Sequence, residues 1–236
     1  MRVLVTAGNT RERIDEVRDW GNIFTGNTGY SIATAVAEVA EVDLLTSNRQ
    51  HIAEAHAIDD HRMHASAFTT HAELKASLAA LMATHKYDAI FMTAAVADYK
   101  PDRVFAVLDR RSTGVAGEEQ WRVRDVQAGK VRSSHEQIAV LGSQTEKLVD
   151  LFRSEWKHAG LLVKFKLEVG ISNDELIRIG QASRKASGAD FLVANTLEMV
   201  RGQDSGAFLL SDAGDEWVPR AELAPRMRRI VEISGA

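Results

Sequence analysis

The chain has 236 residues, 45% of them hydrophobic and 26% charged, a balance typical of a soluble globular protein. The formal net charge of -4 gives no indication of a nucleic-acid-binding surface, and the absence of cysteine excludes disulfides, thiolate catalysis and zinc–thiolate sites. Residues 1–5 predict a short strand and not a signal peptide, and no later stretch has the length of a membrane span. We expect a cytoplasmic protein that binds neither nucleic acid nor membrane.

The first candidate binding segment follows a predicted strand at residues 2–6. A turn at Gly8 leads into a polar segment, and a helix with an apolar face begins only after the run Thr25–Gly29. A glycine-flanked turn that opens a helix presents free N–H groups and the positive end of the helix dipole, which suits a phosphate. The bare pattern fits capping glycines without a ligand better, so this segment needs further support from the rest of the chain.

A histidine-rich segment lies between a second predicted strand (residues 42–46) and an amphipathic helix (residues 72–85). It holds five of the eight histidines, namely His51, His56, His61, His64 and His71. Only the third and fourth of these have the spacing of one helix face, and no acidic metal-binding partner accompanies them. We therefore predict a solvated loop here and not a metal site.

The centre of the chain is a nearly uninterrupted apolar run at residues 89–93, followed by Ala94, Ala95 and Asp98. Such a run is typical of a strand buried on both faces, and Pro101 favours an irregular exit from it. Small alanines let a flat ligand approach the backbone. The loop lies beyond the carboxyl end of the strand, where ligands of open α/β sheets bind.

The pattern changes between residues 102 and 135, where short strands are predicted at residues 104–107 and 121–124 with glycines between them. We interpret this part as an antiparallel two-stranded excursion from the sheet, a flap or a dimerisation arm. It ends in a basic segment with Lys130 and Arg132, for which a solvated strand face is the alternative interpretation.

Alternation of helices and strands then resumes, and it predicts the fold class. The predicted elements are helix 146–157, strand 161–168, helix 174–186, strand 189–195, a hairpin at 207–211 and 216–218, and helix 220–233. Strands that alternate with helices imply right-handed crossovers and a doubly wound, Rossmann-like parallel sheet. We expect a single nucleotide-binding domain over residues 1–236, with the excursion at 102–135 inside it.

Several short motifs occur together in one order along almost the whole chain. They are Val5–Gly8 with Thr10 and Arg11, Ile14–Arg18 with Asn22, Thr25–Gly29, Ala95–Pro101, Lys130–Arg132, Phe165–Glu168 and Ala189–Asn195. Jointly they resemble phosphopantothenate–cysteine ligase, also called phosphopantothenoylcysteine synthetase, a form of the DNA/pantothenate metabolism flavoprotein C-terminal domain. Since no flavin decarboxylase domain precedes them, we expect the stand-alone form.

The resemblance implies that 4′-phosphopantothenate is joined to L-cysteine in coenzyme A biosynthesis, with CTP preferred over ATP, Mg²⁺ required and a homodimer as the assembly. The carboxylate would attack the α-phosphate to give an acyl-nucleotide and pyrophosphate, and the cysteine amine would then displace the nucleotide. Catalytic roles carry over to Asn22, Lys130 and Arg18. Nucleotide-binding roles carry over to Gly8, Thr10, Thr25, Gly26, Gly29, Ala94, Ala95, Asp98, Arg132, Phe165 and Lys166. Asp98 is also the implied Mg²⁺ ligand.

The chain departs from the family pattern in several places. Asn27 stands where a basic residue is usual, Ser133 follows the basic pair, and Thr196 follows Asn195. These departures leave open a divergent paralogue that ligates another acid. A nicotinamide-dependent Rossmann reductase is disfavoured because a polar loop separates the first glycine turn from its helix. A non-catalytic nucleotide-binding protein would not need an acyl-transfer donor such as Asn22.

Overall fold

The structure is a computed structural model that describes residues 1–57, 62–201 and 205–235. Its strands are β1 (Arg2–Ala7), β2 (Arg11–Arg13), β3 (Asp19–Gly21), β4 (Glu41–Thr46), β5 (Met63–Ala67), β6 (Ala89–Met92), β7 (Tyr99–Ser112), β8 (Glu119–Asp125), β9 (Ile138–Gln144), β10 (Leu161–Glu168), β11 (Phe191–Thr196), β12 (Gly206–Ser211) and β13 (Gly214–Pro219). Its helices are α1 (Asn27–Ala37), α2 (Arg49–Ala57), α3 (His71–Thr84), α4 (Leu148–Ser154), α5 (Asn173–Ala186), α6 (Leu197–Arg201) and α7 (Arg220–Ser234). In the described part of the chain no helix is long and apolar enough to cross a bilayer.

An eight-stranded sheet organises the fold, in the order β13-β12-β11-β10-β6-β1-β4-β5. The six strands from β11 to β5 are parallel, and β12 and β13 extend the sheet with antiparallel pairing. From β1 the chain winds outward through β4 and β5, then returns to β6 on the other side of β1 and winds outward again. The predicted doubly wound, Rossmann-like class is therefore confirmed. Its switch point lies between β1 and β6, where a crevice opens at the carboxyl ends.

The core lies on both faces of this sheet. Alternate residues of β1 point to opposite faces: Val3 and Val5 pack in the cluster that holds α1 and α7, and Leu4 packs in the cluster that holds α3 and α4. A third cluster places Leu176 of α5 against β11 and β12. Because the central strands are covered on both faces, they are continuous apolar runs, as the sequence predicted for β6.

The histidine-rich segment is not simply a solvated loop. It contains α2 and β5, and residues 58–61, which include His61, lie outside the described residues. The buried residues of α2 are His51 and Ala55, one turn apart. Neither is a strong hydrophobic signal, which is why the helix was missed.

The predicted two-stranded excursion has a third strand. In this three-stranded sheet β7 lies between β8 and β9, and we call the sheet the arm. No residue of β9 is buried, although the strand begins with four apolar residues, Ile138–Leu141, that the sequence analysis did not assign to a strand. The polar segment after β1 also contains a short hairpin, β2 and β3, that the sequence did not predict.

Candidate functional site

A cavity of about 350 Å³ lies at the carboxyl ends of β1, β6, β10 and β11, beside the switch point. Eight of the predicted site residues line it: Gly8, Thr25, Gly26, Gly29, Ala94, Ala95, Phe165 and Lys166. The structure therefore brings together residues that are up to 158 positions apart in the chain. Open α/β sheets place ligands at this position because the strand order diverges there and leaves a crevice.

Two glycines form the floor of the cavity, where the turn after β1 crosses the start of α1. Gly8 and Gly26 have φ angles of +86° and +85°, a conformation that favours glycine. A Cβ atom on Gly26 would lie 2.1 Å from the backbone nitrogen of Gly8, and one on Gly8 would lie 2.1 Å from Ser47 Oγ. Both positions therefore need glycine for conformation and for space.

The first turn of α1 faces this cavity without a side-chain cap. Gly26 is the capping residue, and it leaves the first N–H groups of the helix available to a ligand. Gly29 lets the helix approach β1 and β6 closely, since a Cβ there would meet Thr93 Oγ1 at 2.1 Å and Ala7 Cβ at 2.9 Å. Free N–H groups at the positive end of a helix suit an anionic group.

Asn22 is not itself among the lining residues, but it precedes Ile23, which is, and its amide is held in place. Its Nδ2 donates to the carbonyl oxygen of Ala95 at 3.1 Å, and its own carbonyl oxygen accepts from Asn9 Nδ2 at 2.5 Å. Asn9 is held in turn by Ser47, whose Oγ accepts from the Asn9 backbone N–H at 2.9 Å. The exposed Asn22 amide is thus fixed beside the alanine that lines the cavity.

Thr10 is fully buried, and its described bonds are to the loop after β6. Its Oγ1 accepts from the Ala97 backbone N–H at 2.8 Å, and its backbone N–H donates to Ala95 at 3.2 Å. Both bonds hold the loop after β6 against the loop after β1. Thr10 supports the wall of the cavity and is not among the lining residues.

Asp98 lies outside the cavity lining and forms an ion pair with Lys147. Both side chains are exposed. Among the described residues there is no group of three or more histidine, cysteine, aspartate or glutamate side chains that could hold a metal ion. One carboxylate fits Mg²⁺ only if substrate phosphates and water supply the other ligands, which is common for this ion.

A sequence model of the DNA/pantothenate metabolism flavoprotein C-terminal domain matches residues 1–113. The coenzyme A biosynthesis bifunctional protein CoaBC of Thermococcus kodakarensis is 28% identical over 230 residues, which cover 96% of this chain and 49% of that protein. The chain thus spans about half the length of the curated relatives it matches.

Two solved structures have the same fold. The DNA/pantothenate metabolism flavoprotein from Streptococcus pneumoniae has a TM-score of 0.78 at 24% identity, with 99% of each chain covered. A Cab2 mutant in complex with phosphopantothenate-cysteine has a TM-score of 0.72 at 15% identity, with 99% of this chain and 87% of that chain covered. The resemblance to a phosphopantothenoylcysteine synthetase-type domain is confirmed.

The predicted basic segment is tied to the loop after β2. Arg18 pairs with the buried carboxylate of Asp15 and donates to the Val131 carbonyl oxygen at 2.9 Å. Asp15 Oδ2 accepts from the Val131 backbone N–H at 3.1 Å. The backbone N–H of Glu16 donates to the backbone carbonyl oxygen of Gly129 at 2.9 Å. The Arg18 guanidinium and the backbone N–H groups of Val17, Val131 and Arg18 hold the pKa of Asp15 well below its usual range.

This contact changes the interpretation of two predicted catalytic residues. Arg18 does not line the cavity, and its described bonds are to Asp15 and Val131. Lys130 and Arg132 are exposed on either side of Val131, which is 2% exposed. Val131 therefore anchors the segment between two exposed basic side chains.

Phe165 and Lys166 occupy the opposite wall. Phe165 packs against the core cluster that includes α1, and Lys166 pairs with Glu168 at 2.8 Å. The sequence missed other lining residues, among them Asn27, Thr28, Asn195, Met199 and Arg220. Asn195 could have been found, since it is a polar residue near the carboxyl end of β11, the neighbour of β10. Met199 lies on α6, which carried no sequence signal.

Proposed function

We propose that the chain is the ligase that joins 4′-phosphopantothenate to L-cysteine through an acyl-nucleotide. The observation that carries the proposal is the placement of the Asn22 amide beside a cavity with an uncapped helix start at its floor. The helix start suits phosphate, and the neutral amide suits a developing oxyanion. The related domain in a protein solved with phosphopantothenate-cysteine supports this choice of substrates.

In the first step the substrate carboxylate attacks the α-phosphate of the nucleotide and pyrophosphate leaves. This step brings anions together, so cations and N–H donors must offset their repulsion. We propose that the N–H groups of α1 and the Lys130 side chain offset this repulsion. Lys130→Ala should slow pyrophosphate release about 10²-fold, the usual cost of losing one preorganised contact. A variant that releases pyrophosphate at the wild-type rate would refute this role.

In the second step the cysteine amine attacks the acyl carbon, a tetrahedral oxyanion forms, and the nucleoside monophosphate leaves as the amide bond forms. We assign Asn22 as the donor to that oxyanion. We propose CTP as the preferred nucleotide, read by backbone groups of Ala94 and Ala95. Mg²⁺ would come with the phosphates, with Asp98 as its protein ligand after release from Lys147, and would offset phosphate charge.

Asn22→Asp tests the proposal because it separates the two steps. The new carboxylate repels the oxyanion, so the variant should form pyrophosphate and accumulate acyl-nucleotide in rapid-quench experiments with CTP or ATP. Asn9→Ala, which loosens Asn22 without adding charge, should slow the second step less. A folded Asn22→Asp protein that traps no acyl-nucleotide contradicts the oxyanion role. Wild-type protein without phosphopantothenate-dependent pyrophosphate release contradicts the function.

We also propose that a second copy of the chain covers the arm. The arm has exposed apolar side chains, among them Leu108, Trp121, Val123, Ile138 and Leu141. Strand β8 is an edge strand in which all seven residues are exposed. Light scattering should report a dimer at micromolar concentration, and Leu141→Glu should shift it towards monomer. A clean monomer of the wild type would refute this proposal.

A further inference from the structure

The ionisable side chains in the described lining of the cavity are all cationic. They are Lys166 and Arg220, and no aspartate or glutamate is among these lining residues. Lys166 is neutralised by its ion pair with Glu168. Arg220 has no carboxylate partner among the described residues, and its side-chain bond there runs from Nη1 to the Val200 carbonyl oxygen at 3.3 Å. The charge of Arg220 is therefore left for a ligand, and the chemistry assigned above does not use it.

The direction of the last strands brings Arg220 to the cavity. Strand β12 is antiparallel to β11, and β13 is antiparallel to β12, so β13 runs parallel to β11 and ends at the carboxyl edge of the sheet. Helix α7 begins there at Arg220, and Leu223 in its first turn also lines the cavity. Helix α1 begins at the same edge and shares a core cluster with α7. The positive ends of two neighbouring helices thus lie at the cavity.

The position of Arg220 in α7 is unfavourable for a cation unless an anion lies nearby. Arg220 is the first residue of the helix, where the helix dipole is positive, and the preceding Pro219 makes no capping bond. The bond to Val200 uses one of the five N–H donors of the guanidinium. The other donors form a planar fork that suits two oxygens of a phosphate. A bound phosphate would offset both the guanidinium charge and the helix dipole.

We propose that Arg220 binds the terminal phosphates of the nucleotide and holds them as the leaving pyrophosphate. The identity of this ligand rests on the proposed function, which puts the α-phosphate at the start of α1, near Asn22. Since packed neighbouring helices have axes about 8–10 Å apart, a triphosphate can extend from the start of α1 towards the start of α7. When the bond between the α-phosphorus and the bridging oxygen breaks, its electron pair stays on the pyrophosphate, and Arg220 offsets that charge.

Competitive binding measurements on the full chain test the inference, with CTP and ATP as triphosphates and CMP and AMP as the matched monophosphates. Arg220→Gln should raise the Kd of the triphosphates about tenfold or more, because hydrogen bonds to a charged group are lost. The Kd of the monophosphates should stay within about twofold of the wild-type value, since they have no terminal phosphates for Arg220 to bind. The loss of triphosphate affinity should shrink as the salt concentration rises.

Two further variants separate ligand binding from a structural role of Arg220 at the end of α6. Arg220→Lys keeps the charge but loses the planar fork, so its triphosphate affinity should lie between those of the wild type and Arg220→Gln. Arg229→Gln is the matched control, since it removes the same charge from an exposed residue of α7 that is not among the lining residues, and it should bind as the wild type does. If Arg220 only held Val200 and the cavity wall, triphosphates and monophosphates would lose affinity alike.

The outcomes separate this inference from the proposed function. Unchanged triphosphate affinity in Arg220→Gln, or equal losses for triphosphates and monophosphates, overturns the inference even if the wild type releases pyrophosphate. Weaker binding of 4′-phosphopantothenate with unchanged triphosphate affinity would place Arg220 at the other substrate and overturns the inference as well. A selective loss of triphosphate affinity in a protein that releases no pyrophosphate supports the inference and refutes the ligase reaction. A wild-type chain that binds neither triphosphate overturns both.

Discussion

The central sheet and the arm are both built of paired strands, but burial stabilises the sheet, whereas exposed cross-strand pairs hold the arm. All four residues of β6 are buried, whereas all seven residues of β8 are exposed. The sheet is covered by helices on both faces, so apolar burial stabilises it. The arm has cross-strand pairs instead, such as Arg110 and Glu119 with Nη2 and Oε2 2.7 Å apart.

The difference between the sheet and the arm determines which substitutions the protein tolerates and which part of the site is rigid. The cavity belongs to the sheet, and its floor is a crossing of two backbones that admits no added atoms. The basic segment to which we assign a role in the proposed reaction belongs to the arm side and is joined to the loop after β2 at Asp15 and Arg18. Changes on the sheet side should therefore cost stability, and changes on the arm should cost little unless a partner is bound.

The largest effect is expected from Gly26→Ala, for which Gly114→Ala is the matched control. The two glycines have nearly equal φ angles, +85° and +84°, but a Cβ on Gly26 meets the Gly8 backbone and one on Gly114 meets nothing within 4 Å. Gly114→Ala should lower the free energy of unfolding by about 1–2 kcal/mol through backbone strain alone. Gly26→Ala should lower it by about 3–5 kcal/mol, since overpacking adds to the strain.

Equilibrium unfolding in urea, followed by tryptophan fluorescence, measures both values. Equal losses in the two variants would show that the crossing of Gly8 and Gly26 is not close-packed. A Gly26→Ala protein that unfolds like the wild type would refute the description of the cavity floor.

The next effect concerns the joint between arm and sheet, and it depends on pH. Because the folded pKa of Asp15 lies below its ordinary value of 3.8, its stabilising contribution is fully present above that value. The contribution is lost as pH falls below 3.8 towards the folded pKa. Asp15→Asn should therefore be less stable than the wild type at pH 7, and the difference should shrink with acidification below pH 3.8.

Urea midpoints at pH 7 and at pH 3 measure this change. Asp19→Asn is the control, since Asp19 is an exposed residue of β3 with no comparable set of bonds among the described residues. A gap between wild type and Asp15→Asn that stays constant with pH would mean that the carboxylate charge does not hold the joint.

A smaller effect on stability is expected at Lys164, a residue of β10 whose amine packs against the end of α5. Its Nζ donates to Ser183 Oγ and Ser187 Oγ, each at 3.1 Å, and burial lowers its pKa. The charged form is therefore disfavoured in the folded state, and this cost is relieved as pH rises through the interval just below 10.5. Lys164→Met should gain no more than about 1 kcal/mol at pH 7, because water still reaches part of the amine.

The gain in Lys164→Met should diminish as pH rises towards 10.5, which urea unfolding at several pH values can follow. Lys166→Met, on the same strand, provides a comparison with an amine that is paired with Glu168. If the gain grows with pH instead, burial does not depress the pKa of Lys164.

The smallest effect is expected on the arm. Arg110 lies 4.7 Å over the ring of Trp121 and pairs with Glu119, but all three side chains are exposed. Exposed pairs contribute little, so Arg110→Ala should lower the Tm by less than about 2 °C. Scans at two protein concentrations give the test. A larger loss that shrinks on dilution would place this surface in the proposed dimer interface, because an interface contact stabilises the protein only while the dimer is formed.

The sequence by itself determined the parallel core of this protein. Buried strands such as β6 and β10 and the amphipathic helix α5 are visible in one sequence because burial imposes a period on the residues. The glycines at the start of α1 and the alanines after β6 were likewise recognisable, since close backbone contact restricts residue type. These features were enough to predict the doubly wound class, and the resemblance to the synthetase family supplied the eight predicted residues that line the cavity.

Only the tertiary structure decided which of the other candidates face that cavity. Thr10 and Arg18 are polar residues in the expected motifs, but their bonds to Ala97 and Val131 hold loops together. His51 was placed in a solvated loop, yet it is buried behind Asn27. A polar side chain forms hydrogen bonds with the groups that the folded chain brings near it. Because those groups come from distant positions in the sequence, the residues around a polar side chain do not predict its partners.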